Sequence, residues 1–246
     1  MLTPDLWLTA STGWEVQRLD YPLDTLESEV RSALQVVAGS GDHVLIFCMV
    51  DTSAVEPCWQ LLNSGFFPVD IRISLESTGR THHQEHSHLV RRVNPADREE
   101  VLRIAESSFQ FSRFHLDPRI PNDIADRIKR RWVESYFDGT RGDVLYVAYL
   151  RGQAVGFLAT MITSDRQGEI AVIDLIGVDR NARGLGVGAS LVSYFEKEWL
   201  DQCRVLRVGT QAANTSSIRF YENQGFRVRS SEYILHAHCE NGKLIR

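Results

Sequence analysis

The sequence lacks the features of several protein classes. No run of about 18 apolar residues occurs in the 246-residue chain, and the opening MLTPDLWLTA has no cationic stretch ahead of an apolar one. We therefore expect no transmembrane helix, no membrane insertion and no signal peptide, and we expect a cytoplasmic protein. The formal net charge is -5 at pH 7, so there is no general excess of Lys and Arg for contacting phosphate backbones. We expect no nucleic acid partner.

Cysteine is scarce as well. Cys48, Cys58, Cys203 and Cys239 are far apart and form no C-x-x-C pair. This spacing is typical of reduced core thiols and predicts neither a disulfide framework nor a zinc site. The histidines in the stretch His82–His88 raise the question of a metal, but a structural site also needs fixed geometry and usually Cys or carboxylate partners. A solvated linker is the favoured interpretation, and we expect no metal.

That linker divides the chain into two unequal parts. STGRTHHQEHSH, residues 77–88, is polar and has no periodic apolar positions. The composition as a whole, 43% hydrophobic and 24% charged, is typical of a globular protein. We therefore predict an N-terminal α/β domain over residues 1–78, a linker over 79–87 and a second domain over 88–246.

The second part alternates strand and helix patterns. Two apolar runs around Arg151-Gly152 predict a β-hairpin, and Asn214 and Gly225 are typical start and stop residues of a helix. Strands are predicted at 88–93, 169–178, 204–211 and 226–238 and in the hairpin 143–162, and helices at 95–109, 120–137, after Gly186 and at 214–224. In the first part, strands over 44–50 and 66–76 flank a helix over 56–65. The run RIKRR, residues 127–131, is interpreted as a solvated helix face.

The glycine-rich stretch RNARGLGVGASL, residues 180–191, fits two phosphate-binding patterns. Gly184-x-Gly186-x-x-Ala189 fits a dinucleotide fingerprint, but that fold needs an acid at the end of the next strand, where this chain has Thr210-Gln211. Arg183-x-x-Gly186-x-Gly188 fits a different cradle, in which backbone N–H groups at a helix N-terminus bind a diphosphate. The alternative, glycines that serve only helix-to-strand packing, leaves Arg183 unexplained.

In these motifs the chain resembles the GNAT-type N-acetyltransferases. Over residues 88–238 the element order is similar, residues 183–188 match the Q/R-x-x-G-x-G/A acetyl-CoA motif, and NTSSIRFYENQGF, residues 214–226, matches a second conserved block. The resemblance implies an α/β (α+β) fold with a central mixed, mostly antiparallel sheet flanked by helices. WQLLNSGFF in the first part echoes IRFYENQGF, with Leu61 in the place of Tyr221. The N-terminal domain is therefore expected to be a partial GNAT copy.

The resemblance also implies roles for the residues of the acetyl-CoA site. The strand over Asp174–Val178 would splay from its neighbour and pair with the pantetheine arm, with Gly177 at the kink. Val178 would stabilise the oxyanion through its N–H, and Tyr221 would protonate the departing thiolate; the alternative for Tyr221 is a core tyrosine. The implied cofactor-binding residues are Ile176, Gly177, Val178, Arg183, Gly184, Gly186, Val187, Gly188, Ala189 and Asn214.

For the acceptor, the resemblance extends to N-acetyltransferases of TDP-4-amino-4,6-dideoxygalactose. It rests on Ser112-Arg113-Phe114, on residues 210–215 and on the smaller N-terminal domain, and it implies an amino group on a nucleotide-linked sugar. Arg113, Phe114 and His115 would bind this acceptor; the alternative is that the phenylalanines are core residues. Asp70 is the candidate base, with a structural carboxylate on a strand as the alternative.

Three functions are therefore open. The first is acetyl transfer from acetyl-CoA, by direct attack in a ternary complex, to a small-molecule amine, a TDP-linked amino sugar being the specific candidate. The second is the same reaction on another acceptor, such as an aminoglycoside, a polyamine or a protein N-terminus. The third is a non-catalytic acyl-CoA-binding module. A homodimer is left open.

Overall fold

The fold was analysed in a computed structural model that describes residues 1–20, 27–39, 42–78 and 88–245. The predicted linker over 79–87, and with it most of the stretch His82–His88, lies outside these residues. His88 is described, and its Nδ1 lies 3.0 Å from Oγ of Ser190 on another element.

Eleven strands within the described ranges form one mixed sheet, in the order β1-β2-β3-β10-β4-β9-β8-β7-β6-β5, with β11 paired to β10. Only β2–β3 and β8–β9 are parallel among these pairs, which confirms a mostly antiparallel sheet. The strands are β1 Leu2–Pro4, β2 Glu15–Leu19, β3 His43–Asp51, β4 Phe67–Ser77, β5 Leu89–Arg92, β6 Val144–Leu150, β7 Gln153–Asp165, β8 Gly168–Val178, β9 Val205–Gln211, β10 Arg227–Glu240 and β11 Lys243–Ile245.

Helices flank this sheet, as predicted. They are α1 Leu6–Thr12, α2 Glu27–Ala38, α3 Val55–Asn63, α4 Arg98–Ser107, α5 Arg113–Leu116, α6 Asn122–Phe137, α7 Val187–Trp199 and α8 Thr215–Asn223. None of the helices in the described ranges is long and apolar enough to cross a membrane. The hairpin at Arg151-Gly152 is confirmed: both residues have positive φ, 53° and 81°, as a tight two-residue turn requires.

Helix α7 is fixed by its apolar face. Leu191, Val192 and Phe195 are fully buried against the sheet, where they join a core that includes Tyr146 and Leu158. Burying each such side chain contributes roughly 1.5–3 kcal/mol. The N-terminus of α7, which carries the glycine-rich stretch, is therefore held firmly at the edge of β8.

The two parts of the chain exchange strands. β4 of the first part lies between β9 and β10, and β10 of the second part lies between β3 and β4. The sheet thus continues across the predicted boundary between residues 78 and 88. The division into domains at 1–78 and 88–246 stays a prediction.

A β-α-β unit occurs twice in this arrangement. Helices α3 and α8 begin at Val55 and Thr215, and the strands after them begin at Phe67 and Arg227, so both pairs are 160 residues apart. Gly65 and Gly225 have positive φ at equivalent positions after the helices. We call β3-α3-β4 the N-terminal unit and β9-α8-β10 the C-terminal unit. The repeat agrees with the echo predicted from the sequence.

Candidate active site

The site is built around a gap between two parallel strands. β8 pairs with β9 from Ile170 to Ile173 and then separates from it, so Asp174–Val178 keeps only its pairing to β7. The predicted splay is therefore confirmed. The register shifts at Asp174, since Ile173 and Leu175 face consecutive residues of β7.

Gly177 is therefore not the point at which the strand bends. A Cβ at this position would lie 2.6 Å from the ring of Phe157, so the glycine is required for close packing. The expectation that Gly177 provides the kink is wrong, because the irregularity is a β-bulge at Asp174.

The free edge of the splayed segment includes the backbone of Val178. The N–H of Asp179 donates to the carbonyl of Val155 in β7, so the alternation along the strand turns the N–H and C=O of Val178 the other way. In agreement with this, that carbonyl accepts from Nε of Arg183 at 3.2 Å. The N–H of Val178 thus faces the gap and not β7.

The glycine-rich stretch forms the N-terminus of α7. Gly186 is the N-cap, and both Gly184 and Gly186 have positive φ, 76° and 83°, which favours glycine over other residues. A Cβ on Gly188 would lie 3.4 Å from the ring of Phe220, a close approach. The first N–H groups of a helix have no partner within it, so this turn can accept a diphosphate.

One cavity of about 910 Å³ joins the splayed strand to this helix N-terminus. Its wall includes all of the predicted cofactor-binding residues, together with Tyr221, Arg113 and Phe114. The cofactor-binding residues in the wall are Ile176, Gly177, Val178, Arg183, Gly184, Gly186, Val187, Gly188, Ala189 and Asn214. Met49 and Arg72 of the N-terminal unit line it as well.

Tyr221 is buried on α8 and lines the cavity. It is 3% exposed, and its ring packs edge-on against Phe220 and Phe226, with centroids 5.1 and 5.9 Å away. Burial raises the pKa of its hydroxyl above the usual range, so the group keeps its proton. Tyr221 is thus a core residue that also reaches the cavity, and the two interpretations of the sequence coexist.

Asn214 caps α8, as predicted. Its Oδ1 accepts from the backbone N–H of Ser217 at 3.3 Å and from Oγ of Ser216 at 3.0 Å. Such a cap contributes about 1 kcal/mol to helix stability. The cap places the side chain of Asn214 in the cavity wall beside the C-terminal end of β9.

Two predicted residues do not reach the cavity wall. Asp70, the candidate base, accepts hydrogen bonds from the backbone N–H groups of Ile71 and Ala213, and burial raises its pKa. The ring of His115 is held by Oγ of Ser112 at 2.6 Å and by Asp126 at 2.9 Å. The structure therefore places both side chains outside the cavity wall, although Oδ2 of Asp70 is buried without a hydrogen-bond partner in the described ranges.

Two functional-site residues have roles that the sequence did not predict. Asp174, at the bulge, accepts from Nε1 of Trp132 and from the hydroxyl of Tyr136, both at 2.8 Å, and from Nε of Arg141 at 2.9 Å. Lys129 lies inside RIKRR, where a solvated face was expected, yet it is 6% exposed and lines the cavity. That part of the expectation is wrong. The nearby Trp132 on the same helix is the one local signal that this face is buried.

A polar cluster lies outside this cavity. Asp117 accepts from Nδ1 of His236 at 2.6 Å and from Nε2 of His238 at 2.8 Å, and all three side chains are buried. They form the one group in the described ranges whose ligand atoms lie close enough together to hold a metal ion. The distances are those of hydrogen bonds, which already use the carboxylate. The absence of a metal stays a prediction.

Comparison with known proteins decides the family. The family model described as acetyltransferase (GNAT) matches residues 99–226, just over half of the chain. The chain belongs to the GNAT family. This family assignment agrees with the matched Arg183-x-x-Gly186-x-Gly188 motif.

Individual members of the family are similar over part of their length. Spore coat polysaccharide biosynthesis protein SpsD of Bacillus subtilis is 30% identical over 143 residues, which cover 58% of this chain and 48% of SpsD. Mycothiol acetyltransferase of Thermobispora bispora is 31% identical over 106 residues, covering 40% of this chain and 34% of the relative. The chain thus spans half or less of these relatives.

The same fold occurs in solved structures. A GCN5-related N-acetyltransferase from Kribbella flavida superposes with a TM-score of 0.60 at 13% identity, covering 92% of this chain and 82% of the other. At this identity the likeness shows the fold alone. It extends across both units, including the N-terminal one.

Proposed function

We propose that this protein transfers the acetyl group of acetyl-CoA to the amine of a small molecule by direct attack in a ternary complex. The observation that carries the proposal is one cavity that joins the splayed segment Asp174–Val178, the glycine-rich N-terminus of α7 and Tyr221. In this proposal the splayed segment binds the pantetheine arm, the N-terminus of α7 binds the diphosphate and Tyr221 supplies a proton.

The bound acetyl-CoA would use the backbone first. Its diphosphate would accept from the N–H groups of residues 186–189, and its pantetheine arm would pair with the free edge of β8, as an added strand does. The N–H of Val178 faces this gap because its strand neighbour Asp179 bonds to β7. Val178 directly precedes the cradle, so this N–H would bind the pantetheine arm near the diphosphate, and the thioester would lie further along β8 toward Asp174, away from the expected oxyanion donor Val178.

Tyr221 would then protonate the leaving thiolate of CoA. Burial keeps its proton in place until the thiolate forms. The attacking amine must be neutral, and Asp70 does not line the cavity, so we assign proton removal to solvent in the cavity rather than to Asp70. A general acid typically contributes a factor of about 100 or more to the rate.

The proposed acceptor is the amine of a nucleotide-linked amino sugar. The resemblances at Ser112-Arg113-Phe114 and at residues 210–215 support this class, as does the similarity to SpsD, whose name places it in spore coat polysaccharide biosynthesis. Arg113 and Phe114 in the cavity wall would face it. Met49 and Arg72 suggest that the N-terminal unit shapes the acceptor end of the site.

The test is a turnover assay that follows release of the CoA thiol with a panel of amines. The panel holds TDP-linked amino sugars, free amino sugars, an aminoglycoside, a polyamine and a peptide N-terminus. The proposal expects release with the nucleotide-linked sugars, and release with another member would move the acceptor to that class. No release with any amine, with acetyl-CoA bound, would leave the non-catalytic acyl-CoA-binding module.

A further inference from the structure

We propose that the acceptor carries an anionic group, a carboxylate or a phosphate, and that Arg113 and Lys129 bind this group in the cavity wall. The inference rests on the proposed acetyl transfer, because it concerns the acceptor of that reaction. It adds a recognition element that the family assignment does not contain.

Lys129 is a buried cation without an anion. Its Nζ lies 4.6, 5.0 and 5.8 Å from the ring centroids of Trp132, Phe109 and Phe114, and it forms no ion pair or hydrogen bond with the residues that the structure describes. Aromatic faces attract an ammonium group but leave its three donors unused. Burial, opposed by Asp174 and reinforced by Arg113 and Arg141, lowers the pKa of Lys129 to about 7.

Arg113 is also a buried cation without an anion. Its guanidinium carbon stacks 4.0 Å from the ring centroid of Phe47 and 4.7 Å from that of Phe114. Its Nη1 is buried without a hydrogen-bond partner in the described ranges. Burial lowers its pKa to about 10; Asp5 acts in the opposite direction but is not within ion-pair distance. A guanidinium with free donors is well suited to a carboxylate or phosphate.

The other cations in the cavity wall are already engaged. Arg141 pairs with Asp174, the Nη2 of Arg183 donates to the carbonyl of Ser108 at 2.9 Å, and Arg72 lies 3.6 Å from Glu232. Burying an unpaired charge is costly, whereas a bound anion satisfies it. The protein as a whole is negatively charged, so this local excess of positive charge is a property of the cavity.

The two free cations lie at the acceptor end. Lys129 contacts Trp132, whose Nε1 donates to Asp174, the first residue of the splayed segment. The diphosphate cradle begins after Val178, about 13 Å further along the strand at 3.3 Å per residue. The diphosphate of acetyl-CoA therefore does not satisfy Arg113 and Lys129, and the acceptor is left as their partner.

The first test uses matched amines in the CoA-release assay. Each pair differs in one anionic group: glycine against glycinamide, and glucosamine 6-phosphate against glucosamine. The expected result is a kcat/KM at least tenfold higher for the anionic member of one pair, and the pair that responds identifies carboxylate or phosphate. Measurable turnover that is equal within both pairs would overturn the proposal; where no member of either pair is acetylated, the anion titrations below decide.

Two variants and a control locate the effect. Lys129→Met, which fits the aromatic surroundings, and Arg113→Gln should each raise the KM of the anionic amine at least tenfold and leave the KM of acetyl-CoA unchanged. Arg130→Gln, the next residue on α6, which pairs with Glu99 and Glu106 on the surface, should change neither. Equal changes in both KM values would contradict the assignment.

Calorimetry reads the anion site without turnover. Inorganic phosphate and succinate are titrated into native protein, into the double variant Arg113→Gln, Lys129→Met and into Gly186→Asp. Binding of either anion that is lost only in the double variant supports the site even where no amine is acetylated, a result that would count against the proposed function alone. No binding of either anion, or binding that survives in the double variant, overturns the anion site.

Discussion

The N-terminal and C-terminal units share a backbone plan and differ in chemistry. Their helices, α3 and α8, begin 160 residues apart in the chain, and each helix is followed by a glycine with positive φ. At equivalent buried positions one has Leu61 and the other Tyr221, and at the equivalent N-caps one has Ala54 and the other Asn214. A repeated unit can thus keep its packing role while only one copy holds the polar groups that a reaction needs.

The largest expected effect comes from the cradle, which lies between β8 and α7, ahead of the C-terminal unit in the chain. Gly186→Asp puts a carboxylate and a strained positive φ where the diphosphate would bind, so kcat/KM for acetyl-CoA should fall at least 100-fold. Gly152→Asp is the control, because Gly152 has a similar φ of 81° and open space around it in the hairpin turn. Equal losses in both variants would mean that folding, and not phosphate binding, is affected.

The next effect compares substitutions at Tyr221 and at Leu61, its equivalent in the N-terminal unit. Tyr221→Phe removes the proton donor and keeps the ring packing, so kcat should fall about 100-fold with the KM of acetyl-CoA unchanged. Leu61→Tyr, the reciprocal change, should leave kcat unchanged and lower the melting temperature, because Leu61 is fully buried. A Tyr221→Phe protein with native kcat would remove Tyr221 as the acid.

A third effect concerns the exchanged strand β10, which carries His236 between the two units. Burial lowers the pKa of His236 to about 4, below its unfolded value near 6.5. The free energy of unfolding is therefore highest above pH 6.5 and decreases as the pH falls toward 4, because the unfolded chain binds the proton more tightly. By pH 5 the decrease is about 2 kcal/mol. The pKa of His43 is lowered too, so it acts in the same direction.

Urea unfolding at pH 7.5 and pH 5 measures this loss. The pKa of Asp117 is held below its usual range by hydrogen bonds from both histidines, which outweigh the effect of burial, so Asp117 acts only at lower pH. His236→Asn should lower the stability at pH 7.5 and flatten its decrease between pH 7.5 and 5. An unchanged slope in this variant would contradict the assignment to His236.

The smallest effect concerns the two helix caps. Asn214→Ala should cost about 1 kcal/mol in the free energy of unfolding, because the N–H of Ser217 loses its acceptor. Ala54→Asn should gain a fraction of that amount, since α3 has no side-chain cap. If Asn214→Ala lowers activity far more than stability, Asn214 also contacts pantetheine.

Local patterns predict much of this fold and some of the site. Caps, turn residues and apolar periodicity identify β3, α3 and β4 and the elements from β5 to β10 except α5, and the glycine spacing identifies the cradle. The elements before β3, together with α5 and β11, are not predicted; apart from α2, which has 12 residues, each has seven residues or fewer. The strand exchange depends on pairing between distant segments, which no local pattern encodes.

The residues that contact the acceptor are harder to predict for the same reason. Lys129 has charged neighbours in the sequence, and only packing of α6 against Phe109 and Phe114 makes it a buried cation. Asp174 looks like any acid in a strand until the bulge turns it toward Arg141. Such roles arise from tertiary contacts between elements far apart in the chain.

The central claim is that β8 and the cradle, together with the C-terminal unit and not its copy, form a single acetyl-CoA site. Isothermal titration of acetyl-CoA into the native chain tests it most directly. One molecule should bind per chain, with binding lost in Gly186→Asp and kept in Gly152→Asp. Two molecules per chain, or undiminished binding to Gly186→Asp, would contradict it.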